Sequence, residues 1–214
     1  MNLNHYSLFI FDWDGTLMDS TGKIVACMQE TARQIDLPVP DEKQVRGIIG
    51  LSMDQVITEL FPTATIQYKK LVRDTYRTQY MELNTTPSPL FEGVLSLLET
   101  LKSNGKTVSV ATGKARAGLQ RALGSVGMDS YFEHSICADE AESKPHPEMV
   151  LELLDRTQTK PVEALVIGDS IHDIKMANNA GVDSIAVTSG ANNYEELTLY
   201  RPNKILSKVT DLSL

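Results

Sequence analysis

Two aspartates spaced by one residue stand in Asp12-Trp13-Asp14-Gly15-Thr16, directly after the apolar run Leu8-Phe9-Ile10-Phe11. Thr112-Gly113-Lys114 closes a second, β-branched run that begins at Thr107. Gly168-Asp169-Ser170-Ile171-His172-Asp173 closes a third, and a lone cation, Lys144, precedes Pro145-His146-Pro147. These are the parts that phosphoryl transfer needs: a nucleophile, donors for the non-bridging oxygens, and cations that screen anion from anion. Mg2+ prefers oxygen ligands, with one or two carboxylates beside waters and the phosphate itself, and Asp12 and Asp169 would supply them. Asp173 lies four residues past Asp169, one helical turn on, so both can face one ion. Clustered carboxylates without a cation raise each other's pKa, so a metal explains the set better than none. Gly15 gives the chain the freedom to swing Asp14 beside a leaving group, as a general acid would. Thr112 offers a hydroxyl, Gly113 an amide that can approach phosphate closely, and Lys144 a fixed charge.

Each part also has a plainer reading. Asp before Gly at a strand end is commonly a turn, and Thr before Gly often caps a helix. Lys before Pro is usually solvated surface. Asp169-Ser170 could form an N-cap with Asp173 as an exposed helical acid. His146 and His172 read as surface or supporting residues rather than ligands. The parts gain force together and in this order.

Strands and helices must bring them together. Continuous apolar runs at 6–12, 107–112, 164–169 and 184–188, with short ones at 135–137 and 204–206, predict strands covered on both faces, hence a parallel sheet. Phe91–Ser103 and Pro147–Arg156 read as helices between them. The expected fold is α/β, a doubly wound, Rossmann-like parallel sheet. From 18 to 83 the pattern is helical throughout, with helices expected at 20–35, 41–49, 52–60 and 64–83. That block reads as a helical cap inserted into a core of residues 1–17 and 84–214. Its linkers are Leu17–Ser20 and Asn84–Pro89. In open α/β sheets ligands bind beyond the carboxyl ends of the strands, where the three polar clusters fall.

Composition narrows the partners. The 214 residues carry 20 Lys+Arg against 28 Asp+Glu, a formal net charge of −8. Such a chain is a poor binder of nucleic-acid backbones or anionic membranes, but it can hold a small phosphate ester where a metal and a few cations are focused. Cys27 and Cys137 form no Cys-x-x-Cys pair and read as reduced core residues. With no basic leader and no long apolar stretch, the expected location is cytoplasmic.

The order of these motifs resembles the haloacid dehalogenase-like hydrolases, specifically phosphoglycolate-phosphatase-type enzymes with a small helical cap. Phe11-Asp12-Trp13-Asp14-Gly15-Thr16-Leu17-Met18-Asp19-Ser20 is similar to the family's first motif, Thr112 to its second, Lys144 to its third, and Gly168-Asp169 with Asp173 to its acidic fourth. The resemblance implies that Asp12 attacks phosphorus and that Asp14 protonates the leaving oxygen and then activates water. It implies that Thr112, Gly113 and Lys144 hold the phosphate, and that Mg2+ sits on Asp12, the Asp14 carbonyl, Asp169 and Asp173. Trp13 stands where Leu or Met is commoner, and its side chain should point away from the chemistry. A sugar phosphomutase would use the same residues and is the nearest alternative. A dehalogenase would lack Asp14, and an inert binding module would lack part of the set. Substrate specificity is expected from the cap, around Arg46 to Ser52, with Arg46 contacting a substrate anion or standing as a solvated helix residue.

Overall fold

The computed structural model describes residues 3–213. Six strands form one parallel sheet: β1 Leu8–Phe11, β2 Thr107–Thr112, β3 His134–Cys137, β4 Ala164–Gly168, β5 Asp183–Val187 and β6 Lys204–Leu206. Their spatial order is β3-β2-β1-β4-β5-β6. The chain therefore runs outward to one side from β1 and to the other from β4. The switch point lies between those two strands, where Phe11 pairs with Ile167.

The unbroken apolarity of β1 now has its cause. Phe9 and Phe11 point into one apolar layer with Trp13, Val94 and Leu98, while Leu8 and Ile10 point into the opposite layer with Met149, Val150 and Leu153. Helices α5 (Val94–Ser103) and α6 (Arg116–Ser125) contribute to the first layer. Helices α7 (Glu148–Thr157) and α8 (Ile171–Ala180) contribute to the second. A strand covered on both faces cannot alternate. Trp13 is fully buried against Phe132, with ring centroids 6.3 Å apart and its ring N–H on the Met18 sulfur, inside the core rather than at the strand ends.

Between β1 and β2 the chain is helical: α1 Thr21–Gln34, α2 Glu42–Arg46, α3 Met53–Leu60 and α4 Ile66–Thr78, followed by a π-helical turn at Gln79–Leu83. These helices bury an apolar cluster of their own, including Ile24, Met28, Val45, Ile57, Phe61 and Val72. The two linkers lie side by side, since Asp19 N–H donates to the Pro89 carbonyl (2.8 Å) and Phe91 N–H to Leu17 (3.0 Å).

Boundaries differ most from the sequence reading in three places. The helix expected over 41–49 ends at Arg46, because the amides of Ile48 and Ile49 bond three residues back, to Val45 and Arg46, and the chain then turns at Gly50, φ +96°. The helix expected over 64–83 changes to wider π-type turns after Thr78. The helix expected from Phe91 starts at Val94, because Gly93 has φ +85°. A further helix, α9 (Tyr194–Thr198), lies before β6.

Candidate active site

Asp12 is the first residue past β1, and its N–H still donates to the Ile167 carbonyl (2.9 Å), so strand pairing fixes its backbone. Its carboxylate accepts from Lys144 Nζ at 2.6 Å, and the same ammonium reaches Asp173 Oδ1 at 2.6 Å. Lys144 is wholly buried. Asp173 is the third residue of α8, and its other oxygen accepts from the Ser170 amide (3.1 Å) and hydroxyl (2.6 Å). Ser170 and Asp173 form a reciprocal capping box, so the helix start itself orients the acid. Both plainer expectations for this segment meet here: Ser170 is an N-cap, yet Asp173 is buried rather than exposed. Asp169 accepts from the Thr16 hydroxyl (2.7 Å) and the Ala191 amide (2.6 Å).

Asp12, Asp169 and Asp173 each present an oxygen within 4.8 Å of the others, all from buried side chains. One ammonium stands against three carboxylates. Burial pushes Asp12 well above the ordinary carboxylate range, outweighing the opposite pull of Lys144, and the neighbouring acids push the same way. Asp169 is pushed up to about 7, again chiefly by burial and then by Asp173. Burial works against the Lys144 ammonium too, but the charges of Asp12 and Asp173 outweigh it and hold its pKa above the lysine norm. The set is short of positive charge. An all-oxygen, buried, anionic cradle suits a hard divalent cation, and these residues fit one.

Gly15 has φ +83°, a conformation costly for other residues, and its N–H donates to the Met18 carbonyl (2.8 Å), closing a tight turn directly after Asp14. Asp14 accepts from the Ser20 hydroxyl (2.5 Å) and pairs with Lys114 Nζ (3.0 Å). Ser20 occupies the N-cap of α1 but makes no cap bond with its side chain, because that hydroxyl serves Asp14 instead. Thr112 is buried at the end of β2, where its hydroxyl accepts from the Lys114 amide (3.2 Å).

The turn after α2 docks on this edge of the sheet. A Cβ on Gly113 would collide with the Gly50 and Leu51 carbonyls, so only glycine admits the contact. Arg46 Nη1 donates to the Gly190 carbonyl (2.9 Å) and its Nε to Glu42 (2.8 Å). Ser52 caps α3 with its hydroxyl, and its amide donates to Ser143 (2.9 Å). His172 Nε2 donates to the Gly47 carbonyl at 3.0 Å, and burial lowers its pKa; His146 is exposed. Asp12, Asp169, Asp173 and Lys144 thus converge, with Asp14 and Thr112 alongside, while Arg46 and Ser52 contact the core's loops.

Sequence reasoning assigned no role to Thr16, Ser20, Lys114 or Ala191. Thr16 and Ser20 stand inside the first motif and Lys114 beside Thr112-Gly113, so adjacency was the available signal. Ala191 acts through its backbone and left none.

A parallel sheet of this order places its acids at the switch point, where open α/β sheets bind ligands. The chain belongs to the haloacid dehalogenase-like hydrolases: that family's sequence profile matches residues 9–187. It is 33% identical over 210 residues to "Probable phosphatase IndB" of Dickeya dadantii, covering 96% of this chain and 91% of that one. It is 28% identical over 220 residues to a phosphoglycolate phosphatase of Vibrio vulnificus, covering 99% and 96%. A solved structure described as a predicted phosphoglycolate phosphatase, from Haemophilus somnus, superposes with a TM-score of 0.83 at 26% identity, covering 97% and 96%. The chain is a phosphatase of this family. No helix among the described residues is long and apolar enough to cross a membrane.

Proposed function

We propose that the protein hydrolyses a small, phosphoglycolate-like phosphomonoester through a phosphoryl group carried on Asp12. The observation that carries this reading is the buried triad of Asp12, Asp169 and Asp173 answered by the single ammonium of Lys144. Asp12, Asp169 and the Asp14 carbonyl, with Asp173 directly or through water, would hold Mg2+, which would screen the nucleophile from the phosphate's charge. An Asp12 oxygen bonds to phosphorus as the bond to the leaving oxygen breaks, and Asp14 gives that oxygen its proton. Asp14 then takes a proton from water as the water oxygen displaces Asp12, which returns as a free carboxylate beside inorganic phosphate. Thr112 and the Gly113 amide receive phosphate oxygens, and Lys144 balances their charge.

Residues 18–83 serve as a cap in this reading. The contacts of Gly47, Gly50, Leu51 and Ser52 with Gly113, Ser143 and His172 support it, because they close one side of the strand ends. Closure excludes water from the first transfer and reopening admits it for the second.

The test is Asp12→Asn, a nearly isosteric change. It should lower kcat on phosphomonoesters by about 1,000-fold or more, in line with loss of a covalent nucleophile. Denatured wild-type enzyme, quenched in acid during turnover, should carry one phosphate on the peptide containing Asp12. Retained turnover in the variant, or a label elsewhere, would remove Asp12 from the role.

A further inference from the structure

Beside Asp14 three side chains meet that the reaction above does not use. Lys114, two residues past the end of β2, pairs with Asp14 at 3.0 Å. Its Nζ also lies 4.9 Å from the ring centroid of Tyr80 and 3.5 Å from the Tyr80 hydroxyl. Lys23, on α1, places its own Nζ 4.9 Å from the same ring. Two ammonium groups therefore flank one tyrosine, next to the acid. Only Lys114 has a carboxylate partner. Among the described residues Lys23 is half-buried with no ion pair, in a chain whose net charge is −8. Its ammonium is partly shielded and faces a ring rather than a carboxylate, so an incoming anion finds an unneutralised cation there.

We propose that Lys23, Lys114 and Tyr80 form a leaving-group subsite that selects phosphomonoesters whose leaving group bears a second anion, a carboxylate or a further phosphate. This rests on the reading of Asp14 as the proton donor, since that role puts the leaving oxygen against Asp14. From there the remainder of the substrate meets Lys114, then Lys23, with the Tyr80 hydroxyl available as a further donor. A neutral leaving group leaves Lys23 unanswered. The subsite joins both regions of the molecule, Lys114 coming from the sheet edge and Lys23 and Tyr80 from the helical segment. Recognition of the second anion and placement of the cap are thereby the same event.

The test compares two esters of similar size, 2-phosphoglycolate and 2-hydroxyethyl phosphate, by calorimetry with Mg2+ on the Asp12→Asn protein, where turnover does not intervene. Phosphoglycolate should bind about tenfold tighter or better, the scale of one hydrogen bond to a charged group. Adding Lys23→Met should cut the ratio of the two affinities by about the same factor, and Lys23→Arg, which keeps the charge, should hold it within about threefold. Equal binding of the two esters, or a ratio that Lys23→Met leaves intact, overturns the subsite and leaves the phosphatase reading standing. Binding of neither ester, to this protein or to wild type with inhibitory Ca2+, overturns both.

Discussion

In the α/β core Lys144, Asp12, Asp169 and Asp173 are almost wholly shielded from solvent, and each has a partner. In the helical segment the ion pairs Arg33–Glu30 and Arg73–Asp54 lie on the surface, and what the segment buries is chiefly apolar. The contrast separates two uses of charge. Exposed pairs contribute little and can be exchanged freely. Buried charges are costly, and a fold keeps them where a reaction needs them. In the proposed reading the core carries the chemistry, and the segment acts through the few places where it touches the strand ends.

Removing the metal tests the core's half of that contrast most severely. With excess chelator, turnover should fall below a few per cent of its Mg2+ value and return on adding Mg2+. Ca2+ should inhibit, because its looser, larger coordination misplaces the nucleophile. The same cation should raise the melting temperature, since it answers three buried carboxylates now facing one ammonium. Full activity in chelator would break the comparison outright.

Next in size is Lys144→Met set against Arg73→Met. In urea unfolding with chelator present, the first should cost about 3 kcal/mol or more, because it strips the partner from Asp12 and Asp173. The second should lie within about 0.5 kcal/mol of wild type, as surface substitutions do. Equal effects would mean that burial does not distinguish the two kinds of charge. A smaller loss is expected from Gly113→Ala. Its methyl would press on the Gly50 and Leu51 carbonyls and shift the docked turn. Displacement of that kind costs up to about 100-fold in kcat/KM, with the core's melting little changed.

The strands of the core were legible because sheet burial on both faces leaves an unmistakable apolar run, as in Leu8–Phe11, and because strand ends carry the acids. The triad was legible for the same reason: Asp12 and Asp169 end adjacent strands, and Asp173 follows by helical spacing. The helical segment was legible as four helices with breaks near 35–41, 47–52 and 61–65, but not in the early end of the second helix or the π-helical end of the fourth. The turn after Arg46 depends on the three-residue bonds of the Ile48 and Ile49 amides and then on the left-handed Gly50, and the π-helical turn at Gln79–Leu83 has no local signature. The pairing of Lys114 with Tyr80 bridges 34 residues of chain, and contacts of that range leave no periodicity to read. Ser20 illustrates the opposite case. It looks like an ordinary helix cap, and only the fold shows its hydroxyl turned to Asp14.

The smallest effect sharpens the role of the docked turn. Sequence reasoning looked to Arg46 and Ser52 for specificity. The structure directs Arg46 to Glu42 and the Gly190 carbonyl, while the Ser52 hydroxyl caps its own helix. If the helical segment closes as proposed, a guanidinium bonded to the core in this way would act on closure for every substrate rather than on one substrate's leaving group. Arg46→Ala should therefore lower kcat/KM by about fivefold, the scale of one hydrogen bond, for phosphoglycolate and for a small aryl phosphate alike. Lys23→Met should instead lower the two unequally. The measurement is kcat/KM for both esters on both variants. If Arg46→Ala changes the ranking of the esters, the guanidinium leaves Gly190 during catalysis and meets the substrate. The division between a core that does chemistry and a turn that only closes over it would then have to be redrawn at Arg46.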